Sequence, residues 1–564
     1  MRKFRGILKK MFAEKIQKLL QIALEKSGFS DETIFLETPK IAAHGDFSTP
    51  IALSIAKKRK KNPREIAEKI WKNIPKNEIF EKIEIAGAGF LNFWFSEKFL
   101  AENLLKFDPK NPPKSKNPQK IVVDFSHPNI AKPLHFGHFR STVIGDAIVK
   151  ILRFGGDAVL ADNFLGNWGT NFGKLIVAME KWGDAEKIAK NPVAELVDLY
   201  KKFHAAADEN PDLEKKAAAV FHALEVGGDQ KLFEKWKWIV DVSLAELQKF
   251  YDRLGVRFDE IRGEQFYEKF LKSTLDRLEK SGVATREKGG ALVAHFSETE
   301  NLPNLIFQKS DGATLYQTRD LARILFYADK KVDELIYVVA SEQNLHFRQI
   351  FAAAKKLGVK TRFFHANFGM ILGPDGKKFS TRRGNGVGLD EVFDEAVAKT
   401  REKIAEHGGE ISENLVEILA IGALKWNDLS QNRTTNIVFD WEKMLDMTGF
   451  SGPFVQYSAV RVKSIFRKHG QNFKNPAEIF FSEKSEIALA KKLLGFFSAV
   501  KKAADQKMPH FLAHFLFELA GEFNSFYAAC PISKNPTRLF LAKKVGQTLE
   551  IGLNLLGIQT PEKM

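Results

Sequence analysis

IVVDFSHPNIAKPLHFGHFRSTVIGDAIVKILRFGG, residues 121–156, carries three patterns in succession. Residues 121–125 are a mostly apolar, β-branched run of strand length. A polar turn with Pro128 and Pro133 follows, and beyond His138 the apolar residues recur at helical spacing. The expected order is strand, tight loop, helix. His135 and His138 flank Gly137 where that helix should begin. A helix N-terminus favours anions, because its first N–H groups lack partners and its dipole is positive there. Two imidazoles around a small glycine make a suitable cradle for a nucleotide, with room for a flat base against the backbone. A bare H-x-G-H would more often be an ordinary helix cap. The unbroken string SHPNIAKPLHFGHFRST favours the nucleotide reading.

Working outward, the rest of the chain bounds what such a site can belong to. At 564 residues it is long enough for two to four domains. Hydrophobic residues make up 44% and charged residues 28%, the profile of a soluble globular protein. No apolar run has bilayer length, and no secretory signal pattern is present. Cys530 is the single cysteine, which rules out an intrachain disulfide or a cysteine-cluster zinc site and suits a reducing cytoplasm, the expected location. The net charge of +16 favours a polyanionic partner such as RNA, although lysine spread evenly over the surface would give the same total. The basic start, MRKFRGILKKMFAEKI, reads as a surface helix, or as a sequence upstream of a true initiator at Met11.

Residues 1 to about 106 read as a small α+β module. A helix is expected over 12–26 and a loop then a helix over 44–58. Pro63 stands at the first turn of another helix, and 83–95 form strand, Gly-rich turn and strand. The basic run 57–61 reads as a solvated helix end, and 107–119, rich in Pro, Lys and Asn, as an exposed linker. From Lys120 to about Thr400, apolar strands at 158–161, 292–296, 305–307, 334–340 and 362–367 alternate with helical patterns. That is the signature of a parallel α/β sheet, whose ligands sit at the carboxyl ends of its strands. A helical insertion over 191–253 reads as scaffold. Beyond Glu402 nearly all periodicity is helical, with helices expected over 453–467, 486–505, 511–529 and 538–556, which predicts a bundle.

Taken with a second motif, the 121–156 segment resembles the class I aminoacyl-tRNA synthetases, and among them the arginyl-tRNA synthetases. The class pairs a HIGH-type motif, here His135-Phe136-Gly137-His138, with a KMSKS-type loop, here Lys378-Phe379-Ser380-Thr381-Arg382. Further segments resemble that family in its order: HGDFSTP, GFLNF, ADNFLGNWGTNFG, FDEIRGE, SDGATLYQTRDLA, SEQNLHF, HANFGM, FSGPFVQYSAVR and LLGIQTPEKM. The resemblance covers essentially the whole chain. It implies a multidomain α/β fold: a Rossmann-like parallel-sheet catalytic domain (119–400) with a helical insertion, an N-terminal α+β module that meets the tRNA elbow (1–118), and a C-terminal all-α anticodon-binding bundle (401–564). It implies ATP, brought with Mg2+ as a substrate complex, arginine and tRNA(Arg) as partners. No tightly bound cofactor, zinc or other protein-held metal is implied, and the usual state is a monomer. The reaction implied is ATP-dependent formation of arginyl-adenylate, with tRNA needed for that step, then transfer to the 3′-terminal adenosine.

Residue types fit that chemistry. Attack of a carboxylate on a phosphate needs positioning and charge stabilisation more than covalent help. His135 and His138 can donate to phosphate oxygens; Lys378 and Ser380 can close over them from a Gly-flanked loop. Gly137, Phe368, Gly369, Met370 and Phe379 complete the ATP contacts that the resemblance implies. The family's second loop lysine is Thr381 here, and Lys132 stands where family members lacking that lysine carry a compensating one; Arg382 or Arg383 could share its part. A guanidinium has five donors and calls for carboxylates. Asp320 is the first candidate, with Tyr316 one turn earlier if the helix starts there. Glu264 and Gln343 match further family contacts, and Ser126 and Asn129 are placed for the α-amino and carboxylate groups. For RNA, Phe454, Tyr457 and Arg461 share one helix face, which suits unstacked bases. Phe454 and Ala459-Val460 depart from the family's usual Tyr and His-Ala, so a hydroxyl contact is lost there. Phe90, Asn92 and Met564 are the other tRNA candidates by resemblance. Competing readings are another H-x-G-H nucleotidyltransferase, opposed by the C-terminal bundle and the ordered segments; a class I synthetase for a different amino acid, opposed in its cysteinyl form by SDGATLYQTRD and the lack of Cys/His metal ligands; and a tRNA-binding paralogue without catalysis, opposed by the intact catalytic set.

Overall fold

The computed structural model describes residues 11–564 except 38, 40, 133, 374, 377–387, 407–410, 470–472 and 534. Lys378, Phe379, Ser380, Arg382 and Arg383 therefore lie outside the described residues. The chain packs as two compact units. One comprises Lys114–Leu445 with Leu555–Ile558; the other comprises residues up to Pro113, Asp446–Asn554 and Gln559–Met564.

In the first unit five parallel strands lie in the order Arg362–His365, Glu334–Tyr337, Lys120–Asp124, Ala158–Leu165, Glu260–Gly263. The expected parallel sheet is present with one correction. Leu292–Ala294 and Leu305–Gln308 are not part of it; with Ala284–Arg286 they form a separate antiparallel sheet. The chain between these strands is too short for a helical crossover, which parallel pairing needs. Glu260–Gly263, not expected as a strand, takes the sheet edge, where Ile261 remains exposed. The sheet's core side holds Val122, Leu335, Leu321, Ile324, Ile350 and Phe307.

Helix Phe136–Phe154 is buried along most of its length. Its fit over the central strand depends on Gly145, where a Cβ would lie 2.2 Å from Cγ of Phe125. The insertion forms helices Pro192–Glu209, Asp212–Val226 and Gln230–Leu254, and a cluster of Val177, Phe203, Leu213 and Ala217 ties it to helix Thr170–Trp182. Helices Leu389–Glu406 and Glu413–Leu429 pack on each other, and the latter packs on Phe136–Phe154. The boundary expected at 400 thus falls inside this unit.

In the second unit, strands Phe47–Thr49, Phe90–Phe95 and Phe80–Ala86 make an antiparallel sheet in that order. Pro63 opens its helix as expected, with Asn62 Oδ1 accepting from the Arg64 amide at 2.9 Å. The C-terminal helices are Gly452–His469, Lys484–Leu494, Phe496–Gln506, His510–Ala529 and Pro536–Leu555. The single helix expected over 486–505 is interrupted at Gly495, a poor helix former. Helix Glu97–Lys106 presents Phe99, Leu100 and Leu104 and packs against Lys484–Leu494, with Lys491 2.7 Å from Asp46. The N-terminal module and the bundle therefore share one packed unit. Among the described residues no helix is long and apolar enough to cross a membrane.

Candidate active site

The site is built where the parallel strands end. Beyond Asp124 the backbone turns sharply, with left-handed φ at Ser126 (83°), His127 (53°) and Ala131 (55°). Strained non-glycine backbone of this kind concentrates at ligand-binding loops. The Ser126 amide donates to Ser141 Oγ at 2.8 Å, and Ser141 Oγ donates to the Val338 carbonyl at 2.6 Å, which ties the loop to the helix and to the neighbouring strand. The Ser126 hydroxyl is 1% exposed, 2.9 Å from Tyr251 OH and 3.0 Å from Thr142 Oγ1. It is spent inside the protein, so of the pair expected to hold the amino-acid backbone only Asn129 stands exposed. Tyr251 also accepts from Asn163 Nδ2 at 2.9 Å, and burial pushes its hydroxyl up to about 12.

His135 is the N-cap of helix Phe136–Phe154. Its Nδ1 accepts from the Gly137 amide and His138 Nδ1 accepts from the His135 amide, both at 3.1 Å. An accepting nitrogen carries no proton, so each neutral ring holds its proton on Nε2. The rings lie 3.9 Å apart. A Cβ at Gly137 would lie 2.9 Å from His135 Cε1 and would displace that ring. Burial, with His135 and His127 adding to it, pushes His138 down to about 3, so it is a neutral donor at physiological pH. Lys132 is exposed in the same connection.

Helix Tyr316–Asp329 does begin at Tyr316, which places Asp320 one turn on. Tyr316 is 60% exposed, and Asp320 Oδ2 lies 2.7 Å from His346 Nε2. Glu264 is the first residue of helix Glu264–Lys280, directly after the edge strand. Its carboxyl is pushed up to about 7 by burial, opposed by Arg319 and reinforced by Asp320 and Glu268. Arg319 Nε donates to Glu268 Oε1 at 2.6 Å. Glu264 thus lies near Asp320, Glu268 and Arg319, a group with more acidic than basic side chains that suits a cationic ligand. Gln343, exposed, closes the short turn Ser341–Gln343, whose Ser341 amide donates to the Phe368 carbonyl at 3.0 Å.

Phe368, Gly369 and Met370 adjoin the histidine helix through Arg140, a residue that the motif reading passed over. It is 1% exposed, donates to Asp428 Oδ2 at 2.8 Å and to the Gly369 carbonyl at 2.6 Å. The Gly369 amide donates to the Arg433 carbonyl and the Met370 amide to Asn436 Oδ1. Their backbone groups are engaged within the chain, and Met370 offers its exposed side chain. Phe368 is buried.

The other unit carries a cavity of about 480 Å³ in the C-terminal helices, lined by Tyr457, Arg461, Tyr527, Arg467, Lys468 and Met564 among others. The Arg461 guanidinium lies over the rings of Tyr457 (4.7 Å) and Tyr527 (5.3 Å) and donates to Asn524 Oδ1 at 2.5 Å. Tyr457, Arg461 and Met564 converge as expected. Phe454 does not line the cavity; its ring packs 5.2 Å from Phe517. Tyr527 is 44% exposed and joins Tyr457 among the cavity's lining. Asn92 corrects another expectation: it is 4% exposed, and its Oδ1 accepts from Ser48 Oγ at 2.7 Å, bracing the sheet away from solvent. Phe90 is partly exposed.

Residues 101–441 match the model of the catalytic domain of class I (R) tRNA synthetases, residues 455–564 the DALR anticodon binding domain, and residues 7–95 the arginyl tRNA synthetase N-terminal domain. An arginine–tRNA ligase of Idiomarina loihiensis is 38% identical over 556 residues, covering 94% of this chain and 95% of its own. One from Fusobacterium nucleatum is 38% identical over 534 residues, covering 92% and 93%. The arginyl-tRNA synthetase structure from Plasmodium falciparum superposes with a TM-score of 0.83 at 26% identity, covering 98% of this chain and 99% of its own. That from Thermus thermophilus gives 0.81 at 25% identity, covering 98% and 100%. With a histidine-capped helix and a group of carboxylates beyond the ends of one parallel sheet, and matches along nearly its whole length, the chain belongs to the arginyl-tRNA synthetase family, the class I ligases that join arginine to tRNA.

Proposed function

We propose that the arginine–tRNA ligase activity of this family runs in this chain on the strand-end pocket, with the following division of work. Asp320, Tyr316 and Gln343 read the guanidinium of arginine, Glu264 adds a second carboxylate, and Asn129 meets the amino-acid backbone. Ser126 acts through the shape that it gives the loop, since its hydroxyl is spent on Tyr251 and Thr142. The arginine carboxylate attacks the α-phosphate of ATP and pyrophosphate leaves. His135 and His138 stabilise the phosphate oxygens from Nε2 at the helix N-terminus. Lys132 supplies charge that the KMSKS-type segment of Lys378, Phe379 and Ser380 lacks at Thr381, with Arg382 or Arg383 as partners in that task. ATP arrives with Mg2+ as its own complex. A ribose hydroxyl of the 3′-terminal adenosine of tRNA(Arg) then displaces AMP. Tyr457, Arg461 and Tyr527 stack on anticodon bases, Met564 borders that surface, Phe454 packs on Phe517 in support of the same helix, and Phe90 contributes from the N-terminal module. The enzyme works as a monomer in the cytoplasm.

The observation that carries this reading is the Asp320 carboxylate, one helix turn from exposed Tyr316 and near Glu264, whose neighbour Glu268 pairs with Arg319 at 2.6 Å. A partly buried set of charged acceptors rejects neutral amino acids, which would leave the carboxylates unpaired. The test is pyrophosphate exchange with each amino acid in the presence of tRNA. Exchange is expected with arginine alone, and Asp320→Asn should raise KM for arginine by about 100-fold or more while KM for ATP stays near its original value. Exchange with another amino acid, or an unaltered KM in D320N, would remove the assignment.

A further inference from the structure

We infer that His346 is the positioning residue that presents the Asp320 carboxylate to the guanidinium of arginine; this rests on the recognition role given to Asp320 above. His346 Nε2 lies 2.7 Å from Asp320 Oδ2. An ionised carboxylate only accepts, so Nε2 carries the proton and donates. The side chains are 12% and 22% exposed, so water competes poorly for this bond. The same ring packs 5.3 Å from that of Tyr316. His346 also stands in the first turn of helix Asn344–Lys356, directly after Gln343. One imidazole therefore touches two residues that read the substrate side chain and lies one turn from a third.

The chemistry of the pocket gives that contact a purpose. Asp320 shares its surroundings with Glu264 and Glu268, and left to itself its carboxylate would rotate away from them toward water. A guanidinium binds in a fixed fork, so a carboxylate already held in one rotamer saves ordering cost when the substrate arrives. The His346 bond occupies one position on Oδ2 and leaves Oδ1 and the second lone pair of Oδ2 for the ligand. An imidazole can donate from Nε2 without itself carrying a charge, so it can hold the carboxylate and leave its charge for the substrate. A lysine or arginine at 346 would hold it equally well and would occupy the charge that the substrate needs.

The full chain with tRNA present, assayed by arginine-dependent pyrophosphate exchange, tests this. His346→Ala should raise KM for arginine about tenfold, with KM for ATP and kcat within about twofold of the original. His346→Gln, whose amide nitrogen can still donate at similar reach, should restore most of the affinity. In the D320N background, His346→Ala should add less than about twofold, because the two residues act as one unit. Equal rises in both KM values, a fall in kcat alone, losses that add in the double variant, or a Gln variant as weak as the Ala variant would each overturn the inference. Should H346A fail to fold, His346→Asn takes its place, its shorter amide ending before Asp320 Oδ2. An arginine KM unaltered in D320N would instead overturn the recognition role of Asp320, so the two failures are distinct.

Discussion

Glu264 shows how one residue's surroundings decide its chemistry. Burial pushes its carboxyl from 4.5 to about 7, and Asp320 and Glu268 add to the effect against Arg319. The folded chain therefore keeps a proton that the unfolded chain releases. From this group, stability is highest below about 4.5, falls as pH rises toward 7, and then stays level. Glu264→Gln should raise the melting temperature of the substrate-free protein at pH 8 and leave it little changed at pH 4, as followed by circular dichroism. In the role proposed for Glu264, the ionised form is the one that pairs with arginine. KM for arginine should thus fall as pH rises through about 7 and flatten above it, and the E264Q variant should lose that inflection. Lys132 makes a second prediction. Lys132→Ala should slow adenylate formation on the order of 100-fold in single-turnover assays with arginine affinity retained, as for loss of one transition-state donor. Near-normal rates would show that Arg382 or Arg383 suffices. Both residues were legible as candidates in the sequence. The proton affinity of Glu264 was not, since it depends on neighbours brought in by another helix.

At the scale of elements, helix Tyr316–Asp329 is the most informative. Its register placed Tyr316 and Asp320 on one face from sequence alone. How it is held became evident only from packing. Arg323, 2% exposed, donates to Asp124 on the central strand and to Asp162 on the next strand (2.6 Å), and Tyr327 OH donates to Asp162 at 2.6 Å. Asp124 and Asp162 are register partners in the parallel sheet, so one guanidinium bridges two adjacent strands at the site's floor. Removing it would take from two buried carboxylates their close-range cation, with Arg262 4.0 Å from Asp162. Arg323→Met should cost about 3–5 kcal/mol in urea denaturation, and adding Asp124→Asn and Asp162→Asn should recover part of that loss. A stability cost under about 1 kcal/mol would show that the network is dispensable. The strands at 292 and 305 illustrate the opposite case. Their apolar patterns were legible, but not their separate antiparallel sheet, because a short β-branched run carries no mark of the partner it pairs with.

At the scale of the molecule, each packed unit holds one of the two proposed recognition surfaces. The strand-end carboxylate group lies in the unit of the parallel sheet. The aromatic cavity lies in the unit that joins the N-terminal module to the C-terminal helices. A net charge of +16 suits a protein whose largest substrate is a polyanion. Tyr527→Ala should raise KM for tRNA about 10-fold or more while KM for arginine and for ATP in the exchange reaction stay near their original values, since one base–aromatic stack contributes about 1–3 kcal/mol. An unaltered tRNA KM would return Tyr527 to a packing role.

Local pattern determined what local physics controls: the strand, loop and capped helix over 121–156, the one-turn spacing of Tyr316 and Asp320, the insertion of helices, and the family through ordered motifs. Tertiary structure decided which distant groups meet. Ser126 turned out to be spent on Tyr251, 125 residues away. Asp320 is held by His346, Asn92 faces Ser48, and Tyr527 joins Tyr457 around Arg461. Such contacts depend on which apolar faces pack together and how much water they exclude. Neither quantity is carried by the residues of one segment, so neither was visible before the chain was folded.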